Sequence, residues 1–214
     1  MAAAGGSTNI IQLILSNSIV KSELRSTEDL STLDQGDNKL QTPLIIAASM
    51  GHVEATKLLL QYSAKVSIQD DAGKTALHYA VLIAGQLLIV QYLLREKRIS
   101  PDSEWQGLRP LCQASAKGHI EVVRALLRSR ASVGIADEQR KTPLHHAAEN
   151  GMYTVAKTLL FQDANVNAPD MNRETPLHSA AKSGNTSMIE LLLESKANVE
   201  ACSRTKETPL HLAV

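Results

Sequence analysis

The chain is 214 residues long and carries 22 lysines and arginines against 22 aspartates and glutamates, a formal net charge of zero at neutral pH. No global field therefore draws it to nucleic acid or to an anionic membrane, and aromatics at 3% are too sparse to stack single-stranded bases. Two cysteines far apart in sequence, Cys112 and Cys202, make no disulfide framework and suit a reducing compartment.

From the N-terminus, residues 8–25 read as an amphipathic helix with Ile10, Ile11, Ile14, Leu15, Ile19 and Leu24 on its apolar side. No basic residue precedes the run, Gln12 interrupts it and Ser16-Asn17-Ser18 ends it, so it is neither a signal peptide nor a membrane span. Residues 1–37 are expected to form a capping helix and linker.

A four-residue phrase then recurs. Thr42-Pro43-Leu44-Ile45, Thr75-Ala76-Leu77-His78, Arg109-Pro110-Leu111-Cys112, Thr142-Pro143-Leu144-His145, Thr175-Pro176-Leu177-His178 and Thr208-Pro209-Leu210-His211 start 33, 34, 33, 33 and 33 residues apart. Such a period means stacked supersecondary units rather than one globular core. Thr caps a helix by accepting a backbone N–H, and Pro at the first helical position loses no hydrogen bond. Small pairs follow, such as Ala47-Ala48 and Ala147-Ala148, and let neighbouring helices approach closely. Gly51, Gly85, Gly118, Gly151 and Gly184 suit helix ends with positive φ. A second helix follows, with stripes such as Val122, Val123, Leu126 and Leu127.

Each unit is predicted as helix, turn, helix and extended finger, over 38–70, 71–104, 105–137, 138–170 and 171–203, with 204–214 starting a sixth. The second unit is one residue longer, and the spacing puts the extra residue around Leu82 to Ala84. In the third, Arg109 replaces the capping Thr, so that helix is expected to lack a side-chain cap. The sixth stops within its first helix without the polar outer face of a terminal unit, so the chain is expected to be a piece of a longer array.

These residues resemble the ankyrin repeat family, which has this period and this phrase, over roughly residues 38 to 214. The resemblance implies an all-α fold, a solenoid of stacked helix-turn-helix units with extended finger loops. It also implies that partners contact the finger tips and the exposed side of each first helix.

Several residues mimic chemistry. His78, His145, His178 and His211 lie one per unit, about 10 Å apart if spaced by helix diameters. Zn–N bonds are about 2 Å, so these rings cannot share an ion. The resemblance makes them struts that hydrogen-bond the finger backbone. Gly73-Lys74-Thr75 imitates a phosphate loop, but the upstream glycine position is Ile68. Cys112 occupies a histidine slot and is expected to be a buried, unreactive thiol. Asn167 sits in a context resembling that of hydroxylated ankyrin asparagines, with Asn165 where an acidic residue is usual.

Two groups stand at the partner positions that the resemblance implies. One is apolar: Met50, Tyr79, Leu82, Ile83, Trp105 and Leu108, with the only Trp where exposure is expected, the common form of a hot spot. The other is basic: Arg140, Arg173 and Lys206 hold the finger position occupied by Gly73 and Gly107 in the second and third units.

The expected function is a protein-interaction scaffold that holds another protein on the concave finger and first-helix face. The chain is expected to act as a monomer, with no catalysis, cofactor, metal, nucleic acid or membrane insertion. Its expected setting is intracellular, cytoplasmic first with the nucleus open. The rival is a regulatory or substrate-docking array of a longer enzyme or signalling protein whose effector domain lies beyond residue 214. A structural spacer ranks third.

Overall fold

The computed structural model describes residues 33–83 and 86–213. The expected capping helix at 8–25 lies outside them, as do Ala84 and Gly85. The chain divides into two compact units, Met1–Ser100 and Pro101–Val214, and the division falls inside the span read as one repeat array.

The described part of the first unit holds four helices, α1 (Pro43–Ser49), α2 (Val53–Gln61), α3 (Ala76–Leu82) and α4 (Leu87–Leu94). Thr42 starts α1 in extended conformation, and its Oγ1 accepts the Ile45 amide at 3.3 Å. Pro43 follows at the first position, where no donor is needed. The apolar stripe that this start sets in phase buries Leu44, Ile45, Ala47 and Ala48. With those small residues inward, α1 packs against both α2 and α3, and α4 closes over α2 and α3. Leu59, Leu77, Ile89 and Leu93 fill the layer between first and second helices, 2% exposed or less. Each such side chain contributes about 1.5–3 kcal/mol.

The second unit repeats the scheme with α5 (Pro110–Lys117), α6 (Ile120–Arg128), α7 (Pro143–Glu149), α8 (Tyr153–Phe161), α9 (Pro176–Lys182), α10 (Thr186–Glu194) and α11 (Pro209–Leu212). First helices form one row, α5 on α7 on α9 on α11; second helices form the other, α6 on α8 on α10. Leu111, Leu126, Leu144, Leu159, Met188 and Leu192 are fully buried between the rows. Gly118 ends α5 at φ 72, and its N–H satisfies the carbonyls of Ala114 and Ser115. An added Cβ there would meet the Met152 side chain as well as an unfavourable backbone angle.

The repeated histidine completes a reciprocal cap. At Thr75, Thr142, Thr175 and Thr208 the hydroxyl accepts the third helical N–H, while the histidine ring accepts the Thr amide, the part usually played by Glu or Gln. Arg109 provides no side-chain cap, as its substitution for Thr implies. Its guanidinium binds the Asp102 carbonyl at 2.8 Å and the Glu104 carboxylate at 2.7 Å instead. The extra residue of the second repeat falls between α3 and α4, where Ile83 leaves the helix in extended conformation. Among the described residues no helix is long and apolar enough to cross a membrane.

Candidate partner-binding face

Five of the six described fingers are built on a short side chain five residues before the Thr position. Asp70 Oδ1 accepts the amides of Ala72 and Lys74 at 3.0 and 2.8 Å. Asp170 Oδ1 does the same for Asn172 and Glu174, both at 2.8 Å. Asp37 and Asp137 repeat the device, and Ser203 Oγ replaces it for the Glu207 amide at 3.1 Å. These side chains do for the backbone what a turn does. Backbone bonds then join successive fingers within each unit: Asp71 N–H to Lys39 carbonyl, Met171 to Gln139, and Arg204 to Asn172, at 2.8–3.0 Å. The framework is thus held by backbone and short polar groups, which leaves the tip side chains free to differ.

The tip position is left-handed in every repeat. Leu40, Gly73, Gly107, Arg140, Arg173 and Lys206 have φ of 55, 79, 71, 59, 61 and 64°. Glycine adopts that angle without strain, whereas other L residues pay about 1–2 kcal/mol. Arg140, Arg173 and Lys206 are exposed and, among the described residues, form no ion pair. Glu174, next to Arg173 in sequence, is tied to Lys182 at 2.6 Å. Arg173→Gly is expected to stabilise the protein by about 0.5–1 kcal/mol, read as a higher urea midpoint. A lower midpoint would show that the guanidinium makes a stabilising contact.

The apolar positions are less uniform than their spacing suggests. In the first unit Met50 is 59% exposed and Ile83 40%, while Tyr79 and Leu82 are half-buried. Tyr79 is anchored: its hydroxyl donates to Asp70 Oδ2 at 2.7 Å and accepts from Gln41 Nε2 at 3.3 Å, and the Lys74 ammonium lies 4.9 Å from its ring centre. Burial first, then the bond to Asp70, push the phenol up to about 12. Burial works against the Asp70 carboxylate as well, but its hydrogen bonds from Tyr79, Lys74 and Ala72 hold it below the usual range.

In the second unit the expectation of an exposed Trp105 does not hold. Trp105 and Leu108 are half-buried, and this finger reverses more tightly than the others. The two residues exchange both backbone hydrogen bonds, at 2.9 and 2.8 Å, around Gln106 and Gly107, whose φ values are both positive. His146 repeats the part of Tyr79 here, with Nε2 2.8 Å from Asp137 Oδ2. Beside it the Lys141 ammonium donates to Glu149 at 2.8 Å and thereby holds that carboxyl below its usual range.

The histidines are struts. His145 Nδ1 accepts the Thr142 amide at 3.0 Å, so Nε2 carries the proton and donates to the Glu174 carbonyl of the next finger at 3.1 Å. His178 repeats this toward Glu207 at 3.1 Å. Burial holds His145 below its ordinary value, with the bond to Glu174 opposing it. The folded ring therefore takes a proton at a lower pH than the unfolded one, which does so below about pH 6.5. Its contribution is complete above that pH and is lost as pH falls below it. The urea midpoint should drop between about pH 7.5 and pH 5, where carboxylates stay ionised, and His145→Asn should reduce the drop. A midpoint flat across that range would remove the histidine from the account. Cys112, in the same slot, points its thiol at the carbonyls of Ile135 and Lys141, and burial pushes it up to about 12, an inert group. Asn167 Oδ1 accepts the Asn198 amide at 2.8 Å, joining two repeats. Among the described residues no three His, Cys, Asp or Glu side chains are placed to hold a metal ion.

The chain matches a family model described as ankyrin repeats in three copies, over residues 1–104, 84–170 and 162–214. Two solved structures are similar along the whole chain at 26% identity. The human ASB11 ankyrin repeat domain has a TM-score of 0.84 and is 90% covered. The ankyrin repeat domain of Bcl-3, a member of the IkappaB protein family, has a TM-score of 0.86 and is 92% covered. Similar curated proteins include transcription factor TOXE of Cochliobolus carbonum, 50% identical over 40 residues, which are 19% of this chain and 9% of that protein. The transient receptor potential cation channel subfamily A member 1 of Drosophila melanogaster is 29% identical over 43% of this chain and 8% of its own length. Xenopus laevis neurogenic locus notch homolog protein 1 is 35% identical over 38% of this chain and 3% of its own. The chain thus spans less than a tenth of these curated relatives.

Proposed function

This chain belongs to the ankyrin repeat family, and from that premise we propose that it holds another protein on its finger tips and first-helix side and carries out no catalysis. One observation carries the reading. All six described tips contain a left-handed residue and five of them share one finger backbone, yet the side chains differ, from Leu40 through Gly73 to Arg140, Arg173 and Lys206. Constant backbone with variable side chains is what a recognition surface requires. The strained arginines add to it, since glycine would serve the fold better. Met50 and Ile83 supply exposed apolar area in the first unit, and Arg140 and Arg173 supply charge in the second.

Quantitative capture from native lysate tests this. The parent is compared with Met50→Asp/Ile83→Asp and with Arg140→Glu/Arg173→Glu, each shown to keep its helical circular dichroism. A protein retained by the parent and lost by one pair supports the face and locates it. Equal retention by all three removes it. The second reading is a docking array within a longer enzyme or signalling protein. It is favoured by relatives that carry the matching stretch inside much longer chains, and the full reading frame decides it.

A further inference from the structure

The second helices of the Pro101–Val214 unit present a feature that neither the scaffold nor the finger face requires. Arg124, Leu127 and Arg128 stand on α6 at i, i+3, i+4, and Thr154, Lys157, Thr158 and Phe161 on α8 at i, i+3, i+4, i+7, spacing that turns each stripe to one side of its helix. Together they line a groove of about 530 Å³. Three lining residues are cations and none is acidic. Arg124 has Glu121 at 2.9 Å, whereas Arg128 and Lys157 form no ion pair among the described residues. Phe161, the only Phe of the chain, is 83% exposed. The same position in the other repeats is Gln61, Arg95, Arg128 and Glu194, so the solenoid does not need an aromatic there. The adjoining groove has the opposite sign, with Glu190 and Glu194 among its lining and no cation.

We propose that the α6–α8 groove docks a short acidic segment of a partner protein, with an apolar side chain of that segment against Phe161 and Leu127 and its carboxylates against Arg128 and Lys157. Charge complementarity selects the sign of the occupant, and the exposed aromatic selects an apolar anchor. A protein segment fits better than an anionic membrane, because Glu190 and Glu194 in the adjoining groove would be pressed against the lipid headgroups. This site is separate from the finger face and does not depend on it.

Fluorescence anisotropy tests it with the full chain. The probes are a labelled twelve-residue peptide containing six glutamates and two leucines and its glutamine counterpart, with phosphatidylserine vesicles in a separate arm. The acidic peptide should bind at least about tenfold more tightly than the counterpart and weaken with added salt. Phe161→Gln and Arg128→Glu/Lys157→Glu should each weaken it at least about fivefold at unchanged melting temperature. Arg140→Glu/Arg173→Glu should leave it unchanged. Equal binding of the two peptides, insensitivity to the groove variants, loss only in the finger variant, or vesicle binding without peptide binding would each overturn the proposal.

Discussion

Replacing His145 with alanine is expected to lower the free energy of unfolding by about 3 kcal/mol. The ring is fully buried and bonds the Thr142 amide at 3.0 Å, the Thr142 hydroxyl at 2.8 Å and the Glu174 carbonyl at 3.1 Å. Alanine leaves a donor and an acceptor without partners in a site closed to water, each costing about 1–3 kcal/mol, beside a ring-sized void. The carbonyl belongs to the following finger, so the loss is felt in the stacking of the fourth and fifth repeats. His145→Asn should recover part of it, since a short amide can reach Thr142 but not Glu174. Urea unfolding measures both through the midpoint at constant slope. By contrast, Lys182→Met removes a salt bridge whose lysine is half exposed and should cost no more than about 0.5 kcal/mol. If the His145→Ala loss came out as small as that, the strut would carry no weight.

Ala147→Leu is expected to destabilise by about 3 kcal/mol, the upper end for overpacking. Ala147 has no exposed surface, and its helix α7 is flanked by α5, α8 and α9. Three added carbons have no void to enter, so helix axes or rotamers must move on more than one side. Lys117→Leu, on an exposed face of α5, adds apolar bulk without confinement and should change stability by less than about 0.5 kcal/mol. Thermal melts of the pair separate the effect of space from that of hydrophobicity. Equal melting temperatures would mean that small residues are not what allows the first helices to approach.

These two positions also show why so much of the fold was legible beforehand. Thr142, Pro143, His145 and Ala147 act through local backbone geometry and through the next repeat, so their spacing alone places helix, cap and neighbour. The absent cap at Arg109 and the lengthened turn between α3 and α4 followed from the same register. The finger tips were harder. Asp37, Asp70, Asp137 and Asp170 recur five residues before Thr, a readable signal that a search centred on the Thr-Pro-Leu-His phrase passes over. Trp105 is half-buried where the corresponding Asn38, Asp71, Glu138 and Met171 are exposed, a difference that repeat position alone does not carry. Phe161 lies on a second helix, away from the face where partners were expected, and only its exposure singles it out.

We propose that recognition belongs to the fingers and first helices. Amide hydrogen exchange of the chain, alone and with the captured protein, tests it most directly. Slowed exchange should appear in the tips at 37–41, 70–74, 137–141 or 170–174 and in the adjoining first helices, with α10 unchanged. Slowing confined to α6, α8 and α10, with every finger exchanging as in the free chain, would contradict it.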